Sequence, residues 1–216
     1  MITDARLCAL REELSQRMSE KRYRHTVAVE EMVARLAALY APDRERTLRA
    51  AALLHDITKE YSPDRQLMIF AQEELSLTRE DLYAPKTFHA RTAAALIGKL
   101  YPDLATEEVI SCVRWHTTGR RGMTLSEKLV YLADYIDLSR TFENCVRLRN
   151  FFFDARPEEM TEEERLAHLR DTLILSYDMT IADLLEEGTP VSPDTFEARN
   201  ELVTERLNAQ RGGATT

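Results

Sequence analysis

Apolar residues recur along most of the chain at intervals of three and four, the spacing of helices with one buried face. Only six glycines and seven prolines punctuate the 216 residues, too few for a sandwich or barrel of strands and turns. Leu, Ala, Glu and Arg, all good helix formers, dominate the composition. We therefore expect an all-α protein, a helical bundle.

Turn and capping residues divide this pattern into separate helices. The predicted helices cover about residues 3–19, 22–40, 43–56, 87–101, 106–116 and 124–137, and another opens at Pro63 after Ser62 as N-cap. Thr106 and Thr124 are the predicted caps of their helices. A long helix is predicted within 158–185 and a last one from about 194. Residues 150–165 show no clear period and are interpreted as a variable connection.

The length fits a single domain with a helical appendage. Hydrophobic residues make up 44% of the chain and charged residues 31%, an ordinary globular balance. The predicted parts are an N-terminal helix at 1–20, a core at 21–140 that carries the candidate site, C-terminal helices at 141–210 packed on that core, and a disordered tail at 211–216.

The formal net charge of -8 disfavours binding to nucleic acid or to anionic membranes. An anionic substrate would need local positive charge, from a metal ion or a basic loop. The first residues lack the apolar segment of a signal peptide, and no stretch approaches the ~18 apolar residues of a membrane span. Three widely spaced cysteines indicate reduced thiols, so we expect a cytoplasmic protein. A homodimer is left open.

Four of the five histidines lie on the apolar faces of separate predicted helices, each near a helix end. They are His25, His55, His89 and His116. A lone histidine on such a face is usually a core residue bonded to a carbonyl. Four in one chain are much harder to explain in that way. The fifth, His168, is next to charged residues and is expected to be exposed.

Two aspartates extend the histidine pattern. Asp134 interrupts the apolar run 129–136, where a buried carboxylate without a cation would be costly. Asp56 directly follows His55, and a carboxylate beside a histidine ligand is a common way to hold two metals. The alternatives are an ion pair with a buried arginine or lysine for Asp134, and a helix cap for Asp56. Imidazole and carboxylate donors suit Fe, Mn, Zn or Co.

The ordered set H…HD…H…H…D resembles the HD superfamily and, more narrowly, the bacterial YqeK family of HD-domain hydrolases. The resemblance covers roughly residues 20–200. It rests on RYRHTV at 22–27, ALLHDITK at 52–59, His89-Ala90, WHTTGRRGMTLSEKLVYLADY at 115–135, and PDTFEARN at 193–200. The chain departs from the family at Asp137-Leu138-Ser139-Arg140, where Glu-Pro-x-Arg is usual, and at Arg91, where proline is common.

The resemblance implies an all-helical fold, a di-iron centre and symmetrical hydrolysis of diadenosine tetraphosphate (Ap4A) to two ADP. Iron is implied by the resemblance alone, and Mn, Co or Zn stay open. Asp56 is the expected bridging ligand. The implied metal ligands are His25, His55, Asp56, His89, His116 and Asp134.

Basic residues near these ligands are the predicted substrate contacts. Lys59, one helical turn beyond Asp56, is expected to stabilise charge on a phosphoryl oxygen. Arg120 is assigned the same catalytic role, within a glycine-flanked loop whose side chains and N–H groups could bind phosphates. The alternative without a function is a surface lysine for Lys59 and a solvated basic loop for the arginines. The predicted substrate-binding residues are Thr117, Gly119, Arg120, Arg121 and Arg140.

Three other functions are compatible with the sequence. The first is an HD-type phosphohydrolase that acts on another nucleotide. The second is a nucleotide-binding regulatory domain with weak activity and a degenerate metal centre. The third is a helical interaction module whose histidines are satisfied within the core. The presence of all six expected ligands favours the enzyme, with a dinucleoside polyphosphate or a nucleotide as its partner.

Overall fold

A computed structural model describes residues 2–213 of the chain, with side chains to Arg211, and within that range it contains ten α-helices and no β-strand. The expectation of an all-α protein is confirmed. In chain order the helices are α1 (Asp4–Ser15), α2 (Glu20–Tyr40), α3 (Glu45–Leu54), α4 (Pro63–Gln72), α5 (Phe88–Leu100), α6 (Glu107–Trp115), α7 (Leu125–Ile136), α8 (Glu143–Asp154), α9 (Glu162–Glu186) and α10 (Pro193–Gly213).

Side-chain caps set the starts of several helices. The hydroxyls of Ser62, Thr106 and Thr124 each accept a hydrogen bond from a backbone N–H in the first turn of α4, α6 and α7. The predicted caps are thus confirmed. At α7 the cap is reciprocal, because the Glu127 carboxylate accepts a hydrogen bond from the Thr124 N–H, 2.8 Å away.

The C-terminal third contains a helix that the sequence pattern did not predict. Helix α8 occupies 143–154, so the expected connection at 150–165 is shortened to the segment between Asp154 and Thr161. The connection includes a 3-10 turn and places Arg156 at a positive φ of 54°. The period of α8 was obscured by three consecutive phenylalanines, which mark no single face. Its buried positions are Cys145, Leu148 and Phe152.

Helix α9 packs on α7, α8 and α10. His168 on α9 was expected to be exposed. It is half-buried instead, its Nε2 lies 3.0 Å from the Phe152 carbonyl oxygen, and its ring stacks on that phenylalanine. The tail predicted at 211–216 begins inside α10, and residues 214–216 lie outside the described residues.

Helices α2, α3, α5, α6 and α7 form the part of the bundle that carries the candidate ligands. Helix α2 packs against α3 and α7, α6 packs against α3, α5 and α7, and apolar side chains fill the space between them. Buried Glu30 ties α1, α2 and α3 together through Arg11 Nε at 2.5 Å and Arg49 Nε at 3.0 Å. No described helix is long and apolar enough to cross a membrane.

Candidate metal centre

The four candidate histidines and both aspartates converge at the floor of a cavity of about 1040 Å³. Potential ligand atoms of His25, His55 and Asp134 lie within 4.8 Å of one another, and so do those of His55, Asp56 and His116. His89 joins them, since its Nε2 is 3.2 Å from Asp56 Oδ1. Five helices or helix ends therefore deliver six potential ligands to one place.

Three of these histidines are oriented by backbone carbonyls. In His55, His89 and His116, Nδ1 lies at hydrogen-bond distance from the carbonyl oxygen three residues earlier. The acceptors are Ala52 O at 2.6 Å, Lys86 O at 2.8 Å and Val113 O at 2.7 Å. Because Nδ1 must donate in these bonds, the neutral rings carry a lone pair on Nε2. All three Nε2 atoms face the centre of the site.

The arrangement of these nitrogens suits a bound cation. Nε2 of His89 and Nε2 of His116 are 3.0 Å apart. Burial lowers the pKa of His116 to about 4 and that of His89 well below its ordinary value, so both rings are neutral at pH 7. Two opposed lone pairs at that distance repel unless a positive charge lies near both. The Nε2 atoms of His25 and His55 are also buried, and each lies near a carboxylate oxygen, that of Asp134 at 3.0 Å and that of Asp56 at 3.3 Å.

The two carboxylate oxygens of Asp56 lie near different histidines. Its Oδ2 is 3.3 Å from Nε2 of His55, whereas its Oδ1 is 3.2 Å from Nε2 of His89. Burial acts to raise the pKa of Asp56, but neighbouring groups, His55 foremost and Lys59 among them, lower that pKa well below its usual range. The side chain is 3% exposed and ionised, so its two oxygens can serve two cations.

Asp134 occupies the other side of the site. Its Oδ1 is 3.0 Å from His25 Nε2 and 2.5 Å from Arg140 Nη2. Burial acts to raise its pKa, and Arg140 and His25 outweigh burial and lower it. The ion pair with an arginine that the sequence left open is therefore present, alongside the histidine contacts of a ligand.

Arg22 is a site residue that the sequence reasoning missed. Its Nη1 donates a hydrogen bond to Asp56 Oδ2, and its side chain lines the cavity. The available signal was its position three residues before His25 on α2, which places both on the same helix face. Arg22 supplies a positive charge at the point where Asp56 faces the cavity.

The histidine on α2 is oriented differently from the other three. His25 Nδ1 lies 3.3 Å from the Ser139 hydroxyl and 3.4 Å from Oδ2 of fully buried Asp137. Burial acts to lower the pKa of His25, but Asp134 and Asp137 outweigh it and raise that pKa to about 9. Asp137, in the stretch where the chain departs from the family pattern, thus holds the outer face of this ring.

Three of the predicted substrate contacts line the cavity. Lys59 Nζ is 3.3 Å from both ring nitrogens of His89, and burial lowers the pKa of this lysine. The Thr117 hydroxyl is 3.3 Å from Nε2 of the same histidine. Arg140 lines the cavity while it pairs with Asp134. These three residues stay within reach of a ligand held over the site.

The rest of the basic loop is directed elsewhere. Arg120 Nη2 lies 3.0 Å from Oε1 of buried Glu127, so its guanidinium neutralises the carboxylate that caps α7. Arg121 is 76% exposed at its side chain and approaches Glu201 at 4.0 Å. Neither arginine lines the cavity over the histidines. Both were expected from sequence at the phosphate-binding site, whereas the structure places them outside this cavity, and their binding of phosphate stays a prediction.

Gly119 likewise has a packing role rather than a cavity contact. Its φ is +63°, and a Cβ at this position would collide with the hydroxyl of Tyr177 on α9. The glycine is needed because the loop turns in a left-handed conformation directly against a buried tyrosine. Gly119 does not line the cavity, in contrast to the expectation from sequence.

Comparisons with known proteins agree with this architecture. The family model "HD domain" matches residues 22–139. The chain is 31% identical to the symmetrical bis(5'-nucleosyl)-tetraphosphatase of Halalkalibacterium halodurans, over 88% of this chain and 92% of that protein. It is 32% identical to the Bacillus subtilis protein of the same name, over 88% and 94%.

A solved structure is similar along nearly the whole chain. It is described as a predicted HD superfamily hydrolase involved in NAD metabolism from Clostridium acetobutylicum. The two share 30% identity and superpose with a TM-score of 0.77, covering 91% of this chain and 96% of the other. By sequence, by ordered ligand set and by fold, the chain belongs to the HD domain family.

Proposed function

We propose that the protein is a metal-dependent phosphohydrolase that cleaves Ap4A symmetrically into two ADP molecules. The observation that carries this proposal is the convergence of four imidazole nitrogens and two ionised carboxylates beneath a large cavity with basic walls. The names of the relatives from two bacteria supply the reaction, because both are symmetrical tetraphosphatases.

We propose that the six converging residues would hold two metal ions and that the Asp56 carboxylate would be shared by both. The donor set is nitrogen and oxygen without thiolate, which suits iron, our proposed metal, and also manganese, cobalt or zinc. Such ions lower the pKa of a bound water and withdraw charge from phosphoryl oxygens. The proposed ligands are His25, His55, Asp56, His89, His116 and Asp134.

Positive side chains around the cavity explain how a chain of net charge -8 would hold a tetraphosphate. Three come from the start of α2, and the others from three separate segments that surround the metal centre. Charge-assisted hydrogen bonds to phosphate oxygens are stronger than neutral ones, and arginine can make two at once. The cationic lining residues are Lys21, Arg22, Arg24, Lys59, Lys86 and Arg140.

Lys59 is the proposed catalytic cation. Its ammonium is largely buried beside His89, so it has few competing water contacts and would gain from a phosphate oxygen. Symmetrical cleavage breaks the central anhydride, so the leaving group is a nucleoside diphosphate. That group is already a fair leaving group and needs little proton donation, which agrees with a cavity rich in cations.

The first test is product analysis with metal-loaded protein purified without oxygen or chelator. Ap4A should yield ADP alone, with about two metal ions per chain. ATP with AMP would exclude symmetrical cleavage, and less than one metal per chain would exclude the mechanism. Faster phosphate release from mononucleotides than ADP release from Ap4A would favour the alternative HD-type phosphohydrolase.

Two variants separate metal binding from catalysis. Asp56→Ala should lose metal and turnover together, because it removes the residue between both ions. Lys59→Ala should lower turnover and keep the metals. Lys99→Ala is the matched control, since Lys99 is exposed and paired with Glu73 far from the cavity. Full activity in Asp56→Ala would show that the site is misplaced.

A further inference from the structure

The cavity over the candidate metal centre adjoins a second one of about 410 Å³, here named the side cavity. That volume is within the ~300–1,000 Å³ range typical of small-molecule sites. The side cavity is walled by the start of α8 and by the C-terminal half of α9. Five residues line both spaces, and they are Lys86, Tyr135, Arg140, Phe142 and Thr180. The two spaces therefore meet at these five side chains, within reach of a ligand that is long enough to extend from one to the other.

Phe142 lies at the junction of the two cavities and is 72% exposed. It also occupies the N-cap position of α8, where its side chain makes no capping hydrogen bond. Ser, Thr, Asp or Asn at that position would stabilise the helix, whereas phenylalanine cannot. A large aromatic ring thus occupies a place where it contributes little to the fold but faces a ligand path.

The lining of the side cavity also includes a polar pair. Asn144 Nδ2 donates to both carboxylate oxygens of Asp183, each at 2.9 Å. Amide and carboxylate groups of this kind pair with the donors and acceptors along the edge of a purine. A nucleobase needs an aromatic face for stacking and polar groups for recognition of its edge, and the side cavity offers both.

Symmetrical cleavage dictates where two nucleosides must lie. If the central anhydride sits over the metal centre, equal halves of the substrate extend from it in opposite directions. One direction leads along the start of α2, past Arg22 and Arg24. The other leads past Arg140 and Lys86, whose ammonium is 2.9 Å from Glu187 at the edge of the side cavity. Phe142 lines both cavities together with Arg140 and Lys86.

We propose that the side cavity binds the purine base of the second nucleoside, stacked on Phe142 with its edge toward Asn144 and Asp183. The proposal rests on the proposed function, because a substrate with one nucleoside would not need this site. It makes Phe142 a specificity residue that favours dinucleoside over mononucleoside polyphosphates.

The test compares equilibrium binding of two ligands to metal-loaded protein by calorimetry. One is a hydrolysis-resistant Ap4A with a methylene group at the central bridge, and the other is adenosine 5'-tetraphosphate, which has a single nucleoside. Wild-type protein should prefer the first by about tenfold, in line with the contribution of stacking one base on an aromatic ring. Phe142→Ala should remove that preference, and Phe142→Tyr, which keeps a ring, should retain it.

Phe151→Ala is the matched control, because Phe151 is an exposed aromatic residue on the same helix that lines neither cavity. Equal affinity of wild-type protein for the two ligands would overturn the proposal. So would an unchanged preference in Phe142→Ala. ADP release from Ap4A, measured in parallel, separates the two claims. If the protein prefers the Ap4A analogue but releases no ADP from Ap4A, the side-cavity proposal stands and the hydrolase proposal is refuted. If it releases ADP but shows no preference between the two ligands, the hydrolase proposal stands and the side-cavity proposal is refuted.

Discussion

Replacing Asp137 with asparagine should weaken metal binding at the candidate centre. Asp137 is fully buried, and its Oδ2 lies 3.4 Å from Nδ1 of His25. Its Oδ1 accepts a hydrogen bond from the Ser139 N–H at 2.8 Å. Asparagine can keep the second contact through its carbonyl oxygen. It cannot keep the first contact as it is, because an NH₂ group would then face the protonated Nδ1.

The size of the effect follows from what Asp137 does for His25. A carboxylate behind a ligating imidazole fixes the tautomer and makes the ring a better donor, and its loss typically costs about 10–100-fold in metal affinity. That range corresponds to about 1.4–2.7 kcal/mol. We expect a value inside it, since Ser139 is the only other described group near this Nδ1, and a hydroxyl carries no charge to replace the lost carboxylate.

Competition with a chelator of known affinity measures the change in metal binding directly, without dependence on turnover. Asp178→Asn is the control, because it makes the same substitution at an exposed aspartate that pairs with Arg199 at 2.8 Å. Melting temperatures of the metal-free proteins show whether the variant folds. Wild-type metal affinity in a folded Asp137→Asn protein would refute the view that Asp137 supports a ligating His25.

Three further results are expected. In urea titrations, Gly119→Ala should lower the free energy of unfolding by about 2 kcal/mol or more, because alanine meets a disfavoured φ and a clash with Tyr177. Gly122→Ala should lower it less, because Gly122 has a similar φ of +69° but open space around it. Equal losses in the two variants would exclude the clash. Only Cys8 should react with a thiol reagent in the native protein, because the other two cysteines are buried with raised pKa values; two fast-reacting thiols would contradict this burial. Chelation should abolish Ap4A hydrolysis and added iron or manganese should restore it, whereas activity in metal-free protein would exclude a metal mechanism.

The convergence of the histidines was predictable because buried positions recur every three to four residues along a helix. Each of the four lies on the apolar stripe of its own predicted helix, and four helices that bury their stripes against one another must bring those residues inward. Asp134 was predictable for the complementary reason, since a carboxylate in an apolar run requires a positive partner. Sequence periodicity does not say which cation that partner is, and in the structure Arg140 is one of them.

Side-chain directions in loops had no such signal. Arg120 and Arg121 follow His116 closely in the sequence. Arg120 nevertheless pairs with Glu127, the buried residue that takes part in the N-terminal cap of α7. The pairing depends on the tertiary position of a charge seven residues away, and no periodic pattern encodes that. Arg22 shows the converse case. It lies one helical turn before the candidate ligand His25 and contacts Asp56 in the site, whereas the two loop arginines do not.

The same local hydrogen bond orients three of the four candidate histidines. His55 and His116 are the C-caps of α3 and α6, where backbone carbonyls lose their helical partners. The Nδ1–H group of each ring satisfies the carbonyl three residues earlier, which directs Nε2 away from the helix and into the site. His89 uses the same spacing at the start of α5.

His25 lies inside α2, where backbone carbonyls are already paired within the helix. Its Nδ1 must therefore find a partner elsewhere, and it lies close to Asp137 and Ser139 just beyond α7. Three candidate ligands are thus oriented by their own helices and the fourth by a distant segment. Because that segment also delivers Arg140 to Asp134 and leads directly to Phe142, a change at Asp137 would disturb metal retention and the path to the side cavity together.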